Sequence, residues 1–306
     1  MGENSKIEWT DHTFSPWVGC TKISPGCDHC YAEGWAKRSG LVTWDAERRR
    51  TSAAYWRQPA KWDAAARRDG VRRRVFCASL SDVFDSDVPE EWRADLFAVI
   101  KRTPHLDWLL LTKRIGNVWR LTQRAMWNSG SHPGMHHSLP ANVWLGATVV
   151  NQEEAERDIP KLLAVGATIR FLSCEPLLGP IQLDHEWLES ETFGHAADCH
   201  DDLCALNGDE YSCDGRIYRL DAIDWTIVGG ESGPGARPFE LEFGKDIVRQ
   251  CQEANVPVFV KQVGSRPVNR DGERCPHILD RKGKVMEEWP EELRVREFPT
   301  HVQAVT

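Results

Sequence analysis

Three cysteines fall within eleven residues near the amino terminus, Cys20, Cys27 and Cys30, in the order C-x6-C-x2-C. Pro25 and Gly26 bend the chain between the first two. Converging thiolates need that bend, because a helix or strand across the span would hold Cys20 away from the other pair. Soft thiolates grouped in this way select zinc or an iron–sulfur cluster. His29 is the nearest candidate for a fourth ligand, but its place inside the C-x2-C step makes joint ligation awkward. Three protein ligands leave one metal position open, and an open position is where chemistry happens. A 4Fe-4S cluster with one free iron therefore stands beside two plainer readings: a structural zinc completed by a distant ligand, and three unligated thiols in a reducing compartment.

A second cysteine group, Cys199, Cys204 and Cys213, lies in a polar stretch between Asp184 and Asp224 with His195 and His200. Its spacing is irregular for a zinc ribbon, which pairs two C-x2-C knuckles. Zinc, a second cluster and free thiols all remain open for it. A third concentration is basic. Arg48, Arg49, Arg50, Arg57, Lys61, Arg67, Arg68, Arg72, Arg73 and Arg74 crowd one early segment, with Trp44, Trp56 and Trp62 among them. Arginines interleaved with aromatics suit a surface that stacks bases and holds phosphates. The same pattern also describes a solvated helical face whose tryptophans turn into the core.

The chain that must position these groups has 306 residues and 27% charged residues, with 41% hydrophobic content that suffices for a sizeable core. Its net charge of −8 gives no global attraction to nucleic acid. No run approaches the ~18 apolar residues of a membrane helix, and MGENSKIEWTD lacks the apolar centre of a secretory signal. Ten cysteines in what reads as a cytoplasmic chain favour metal ligands or buried thiols over disulfides.

Beyond the first loop, short apolar runs alternate with longer amphipathic segments. The runs are Arg74–Ser79, Trp108–Thr112, Val143–Thr148, Ile169–Ser173, Trp225–Gly229 and Val256–Lys261, after a first strand at Thr13–Gly19. Helices are predicted over Tyr31–Arg38, Glu90–Arg102, Asn117–Trp127, Gln152–Leu163 and Leu241–Ala254. Near-continuous apolar strands joined through helices indicate a parallel sheet covered on both faces. About seven βα units suit a complete or partial β/α barrel better than an open flavodoxin-like sheet. Residues 1–265 would form this barrel, with residues 184–224 inserted, and residues 266–306 would pack over its mouth or edge. Ligands bind at the carboxyl ends of barrel strands. Here those ends read Ser79-Leu-Ser81-Asp82, Thr112-Lys113-Arg114, Ala147-Thr148, Ser173-Cys-Glu175, Gly229-Gly230-Glu231-Ser232 and Lys261-Gln262.

The run WTDHTFSPWVGCTKISPGCDHCYAE, with LLLTKR (Leu109 to Arg114), FLSCEPLLGPI (Phe171 to Ile181), WTIVGGESGPGARP (Trp225 to Pro238) and EWPEELRVREFP (Glu288 to Pro299), resembles a phage- and bacteria-borne three-cysteine family. That family is distantly related to radical S-adenosylmethionine (SAM) enzymes. The resemblance implies a barrel of the radical SAM type, with Cys20, Cys27 and Cys30 on a 4Fe-4S cluster and SAM on the fourth iron. It further implies an external one-electron donor and cleavage of SAM to a 5′-deoxyadenosyl radical. The usual spacing in such enzymes is C-x3-C-x2-C, three residues shorter than here. Ser79, Ser81 and Asp82 then fall where the SAM amino group would be met. Gly229 and Gly230 would admit a close ligand, and Glu231 would accept from ribose hydroxyls or an amine. Glu175, Lys113 and Arg114 are candidates for the ribose and the carboxylate or a substrate phosphate. Together with the arginine segment, the phage association points to a nucleotide or nucleic-acid base as substrate. The rivals are a metal-stapled nucleic-acid-binding protein without turnover, and a transferase that binds SAM without homolysis.

Overall fold

The computed structural model describes residues 2–128, 139–189, 191–193, 218–220 and 222–300. Seven strands form one parallel sheet: β1 (His12–Thr13), β2 (Arg73–Cys77), β3 (Leu106–Thr112), β4 (Val143–Thr148), β5 (Ile169–Cys174), β6 (Trp225–Gly229) and β7 (Val258–Gln262). Each strand pairs with the next one in the chain. That sequential order excludes the flavodoxin-like alternative, in which the strand order reverses. The sheet curls as a half-barrel, with β1 and β7 as its two edges. Of the two barrel forms expected, the partial one is present. The first strand is also shorter than predicted, because Pro16 cannot donate to a ladder and the chain after Thr13 turns out toward the cysteine loop.

Helices α1 (Tyr31–Ser39), α2 (Gln58–Asp69), α3 (Glu90–Arg102), α4 (Val118–Asn128), α5 (Gln152–Leu163) and α6 (Leu241–Glu253) link or flank these strands. Their ends follow from local chemistry. The Asn151 side chain accepts from the Glu154 N–H at 2.9 Å and caps α5, while Glu154 reaches back to accept from the Val150 N–H at 3.1 Å. This is a reciprocal cap of two otherwise orphaned donors. Among the described residues no helix is long and apolar enough to cross a membrane.

Strand side chains alternate between two cores. Val75, Trp108, Leu110, Leu145, Leu172, Val228 and Val258 pack outward against the helices. Phe76, Leu109, Trp144, Ile169, Phe171, Trp225, Ile227 and Phe259 fill the inner face, with Trp9 closing over them. Gly146 is a steric necessity in that inner layer, since a Cβ there would lie 2.3 Å from the Phe171 ring. Aromatic rings thus plug the lower part of the half-barrel, and any ligand must sit above them.

Residues 295–297 of the tail lie along an edge of the sheet. Val260 donates its N–H to Val295 at 2.9 Å, Glu297 donates to Val258 at 2.9 Å, and Phe259 faces Arg296 in an antiparallel bridge. The free edge of β7 is thereby covered, the usual remedy for unpaired strand edges. Within the insertion, Glu191–Phe193 and Tyr218–Leu220 form an antiparallel pair. His195, Cys199, His200, Cys204 and Cys213 lie outside the described residues.

Candidate functional site at the mouth of the half-barrel

The cysteine loop is built by short-range hydrogen bonds and pinned across the strand ends. Ser24 accepts the Gly26 N–H on its side chain at 3.0 Å and the Cys27 N–H on its carbonyl at 2.9 Å, forming a tight turn over Pro25–Cys27. Cys30 donates its N–H to the Cys27 carbonyl at 3.3 Å and opens α1. Four contacts fasten the loop. The Tyr31 hydroxyl donates to the Ser79 carbonyl at 2.6 Å beyond β2. His29 Nδ1 meets Glu231 Oε2 at 2.9 Å beyond β6, and Arg237 pairs with Asp28 at 3.4 Å. Gly26 rests so close to Val150 and Lys113 that a Cβ would lie 2.8 Å and 3.2 Å from their side chains.

Cys20 is held separately, by buried charge. Arg114 Nη1 donates to Cys20 Sγ at 3.3 Å and to Asp82 at 3.1 Å, while its Nη2 donates to the Thr21 carbonyl at 2.7 Å. Arg48 donates to the Thr21 hydroxyl and pairs with Asp85 at 2.7 Å, both side chains of that pair being 4% exposed. Burial, with Asp82 nearby, pushes the Cys20 thiol up to about 11. Cys20, Cys27 and Cys30 are all free and half-buried. They fit a soft metal in donor type. In this arrangement, however, no three Cys, His, Asp or Glu side chains among the described residues stand together as a metal-binding group.

The rim residues read from sequence divide into frame and free face. Asp82 accepts from the Thr112 hydroxyl, the Phe84 and Lys113 N–H groups and Arg114, so both its oxygens are engaged. Ser81 donates to the Trp17 carbonyl at 3.0 Å, and the Ser79 hydroxyl meets that of Ser15 at 3.2 Å. These three residues hold β2 to the loops around it. Gly230 serves packing, since a Cβ there would lie 2.8 Å from the Val263 carbonyl and 2.9 Å from Phe239. At Gly229 the space is bounded by Glu175, whose side chain a Cβ would meet at 3.4 Å. The close packing behind Gly230 accounts for that glycine without a ligand, whereas the 3.4 Å approach at Gly229 is an ordinary contact. Glu175 pairs with Lys261 at 2.5 Å, joining the ends of β5 and β7 across β6. Lys113 reaches the mouth under Gly26.

Arg237 and Arg48 are the residues that sequence reading undervalued. The first sits in the quoted GPGARP motif, and the second was absorbed into the basic run. Most arginines of that run meet carboxylates: Arg48 with Asp85, Arg50 with Asp95, Arg72 with Asp107, Arg73 with Asp69 and Arg74 with Asp11. Trp62 is 2% exposed and stacks on His12. Among the three tryptophans of the segment, it follows the core-facing alternative.

Glu231 gives the loop a pH-sensitive fastening. Burial alone would raise its pKa, but hydrogen bonds and charge from Arg237, with His29 adding to them, hold it below the usual carboxylate range. A depressed folded-state pKa contributes stability that is full above the ordinary carboxylate value, about 4.3, and is lost as pH falls through the lower folded value. The melting temperature of Glu231→Gln should accordingly fall below wild type at neutral pH, and the gap should close in acid below the ordinary carboxylate pKa. A gap that stays constant to acid pH would assign the effect to shape, not charge.

Comparison with curated proteins and with solved structures finds no match. A family model described as a protein of unknown function, DUF5131, matches residues 4–291, and the chain belongs to that family.

Proposed function

We propose that this chain is a radical SAM-like iron–sulfur enzyme whose Cys20, Cys27 and Cys30 would hold a 4Fe-4S cluster at the mouth of the half-barrel. The observation that carries the reading is the pinning of a three-thiol loop across the carboxyl ends of β2, β3 and β6, where barrel enzymes bind their ligands. When bound, the cluster and S-adenosyl-L-methionine would supply one-electron radical chemistry, with the electron coming from an external donor.

The chain's own residues do the positioning. Arg114 fixes Cys20, and the Ser24–Cys30 turns fix the other two thiols. Glu175 lies at the mouth beside Lys261, where it would accept from hydroxyl or amine donors of a ligand. Glu231 is engaged by Arg237 and His29 and holds the loop. The aromatic floor of Phe171 and Trp225 keeps water from below. The substrate in this reading is a nucleotide or nucleic-acid base.

Anaerobic purification tests the proposal. A brown protein with about four iron and about four sulfide per chain is expected, with both lost in Cys27→Ala. Dithionite reduction in the presence of SAM should then release 5′-deoxyadenosine. Colourless, zinc-loaded protein would replace the reading with a zinc-stapled binding protein. A cluster without 5′-deoxyadenosine would favour a transferase that uses SAM without homolysis.

A further inference from the structure

We infer that Lys113, Thr148 and Ser173 form a row that binds an anionic group, a carboxylate or a phosphate, on the inner face of the sheet beneath the cysteine loop. Strand alternation puts them on that face. Leu109 of β3, Trp144 of β4 and both Ile169 and Phe171 of β5 belong to the inner core. Counting by two along β4 and β5 brings Thr148 and Ser173 to the same side. Continuing the β3 count two residues past Leu111, one past the strand end, reaches Lys113. The register makes them neighbours: Thr148 stands opposite Ser173, and Lys113 follows directly after the Thr112–Ala147 pair.

Thr148 supplies the independent sign of a ligand. It is 2% exposed, and its hydroxyl has no hydrogen-bond partner among the described residues. Buried hydroxyls are almost always paired, because an unpaired one loses its hydration without return. Ser173 beside it is also buried, at 3%. Lys113 lies close beneath Gly26, and no carboxylate pairs with it among the described residues.

The surroundings set the sign of the charge that fits. Below the row lie Leu111, Gly146, Phe171 and Ile227, which bring no charge. Above it Glu175 is matched by Lys261, and to the side Asp82 is matched by Arg114. The Lys113 ammonium is thus the uncompensated charge, with two hydroxyls level with it. An ammonium flanked by hydroxyl donors over an apolar floor recognises a carboxylate or phosphate, and Lys113 repels a cation. This site needs no metal, so it stands or falls separately from the cluster.

Binding of inorganic phosphate and of acetate to the full chain as purified, measured by titration calorimetry, tests the inference. Wild type should bind at least one of the two saturably, and the preferred one tells whether the natural ligand carries a phosphate or a carboxylate. Thr148→Val keeps the shape and removes the hydroxyl. It should weaken binding about tenfold while raising the melting temperature of the ligand-free protein, because the orphaned hydroxyl is gone. Lys113→Gln should abolish measurable binding. The inference is overturned if neither anion saturates wild type, or if Thr148→Val binds as wild type does.

Discussion

Asp82→Ala is expected to destabilise the fold by about 3–5 kcal/mol, the range for removing one partner of a buried ion pair. Asp82 is 6% exposed and takes the Thr112 hydroxyl, two backbone N–H groups and the Arg114 guanidinium. An exposed pair would contribute only about 0–1 kcal/mol, because water replaces the lost partner. Here water has little access, and the Arg114 side chain, itself 9% exposed, would keep its charge with the carboxylate gone. The consequence reaches the cysteine loop, because the same guanidinium holds Cys20 and Thr21. Asp82 also contributes to the upward shift of the Cys20 thiol, after burial. Its removal should both loosen Cys20 and favour the thiolate. Urea denaturation measures the first effect, and the rate of Cys20 alkylation by iodoacetamide, mapped by mass spectrometry, measures the second. A variant within about 1 kcal/mol of wild type, a typical surface-substitution result, with unchanged Cys20 labelling would remove Asp82 from its role as the organiser of this corner.

The strands were legible because a parallel sheet buried on both faces leaves unbroken apolar runs. Val143–Thr148 and Trp225–Gly229 fall on the predicted residues, as do the helices Glu90–Arg102 and Gln152–Leu163. Sequential pairing of seven strands also followed from the βα repeat. How far the sheet closes did not, since edge pairing depends on Val295 to Glu297, a polar tail segment with no strand-like pattern. The mouth was legible as a place and not as a set of roles. Polar residues at strand ends announce the rim, but Asp82, committed to four donors, and Lys113, paired with no carboxylate among the described residues, look alike in sequence. Gly229-Gly230-Glu231 shows the same limit: the string suggests ligand approach, whereas Gly230 is required by Val263 and Phe239 behind it. Burial of Arg48 was invisible for the opposite reason, because ten basic residues in one stretch read as a surface.

The floor beneath the mouth gives the second large effect. Trp225→Ala should cost about 3–5 kcal/mol, the range for truncating a buried aromatic to alanine. Trp225 is fully buried, with ring centroids of Trp9, Trp144, Phe171, Phe259 and Phe298 all within 6.3 Å of its own. Five aromatic neighbours on different segments cannot all move into the space left behind, so a cavity remains and its lining loses contacts. The indole also has a polar task, since Nε1 donates to the Glu297 carbonyl at 2.9 Å and ties the tail to the sheet. Trp225→Phe separates the two contributions. It keeps a ring in the floor but leaves that carbonyl without its donor, for a smaller loss of about 1–3 kcal/mol. Against a total stability of about 5–15 kcal/mol for a protein domain, the alanine variant should unfold at much lower urea, with the phenylalanine variant between it and wild type. Equal midpoints for the two variants would mean that the tail attachment, not the packed floor, sets the stability of the half-barrel.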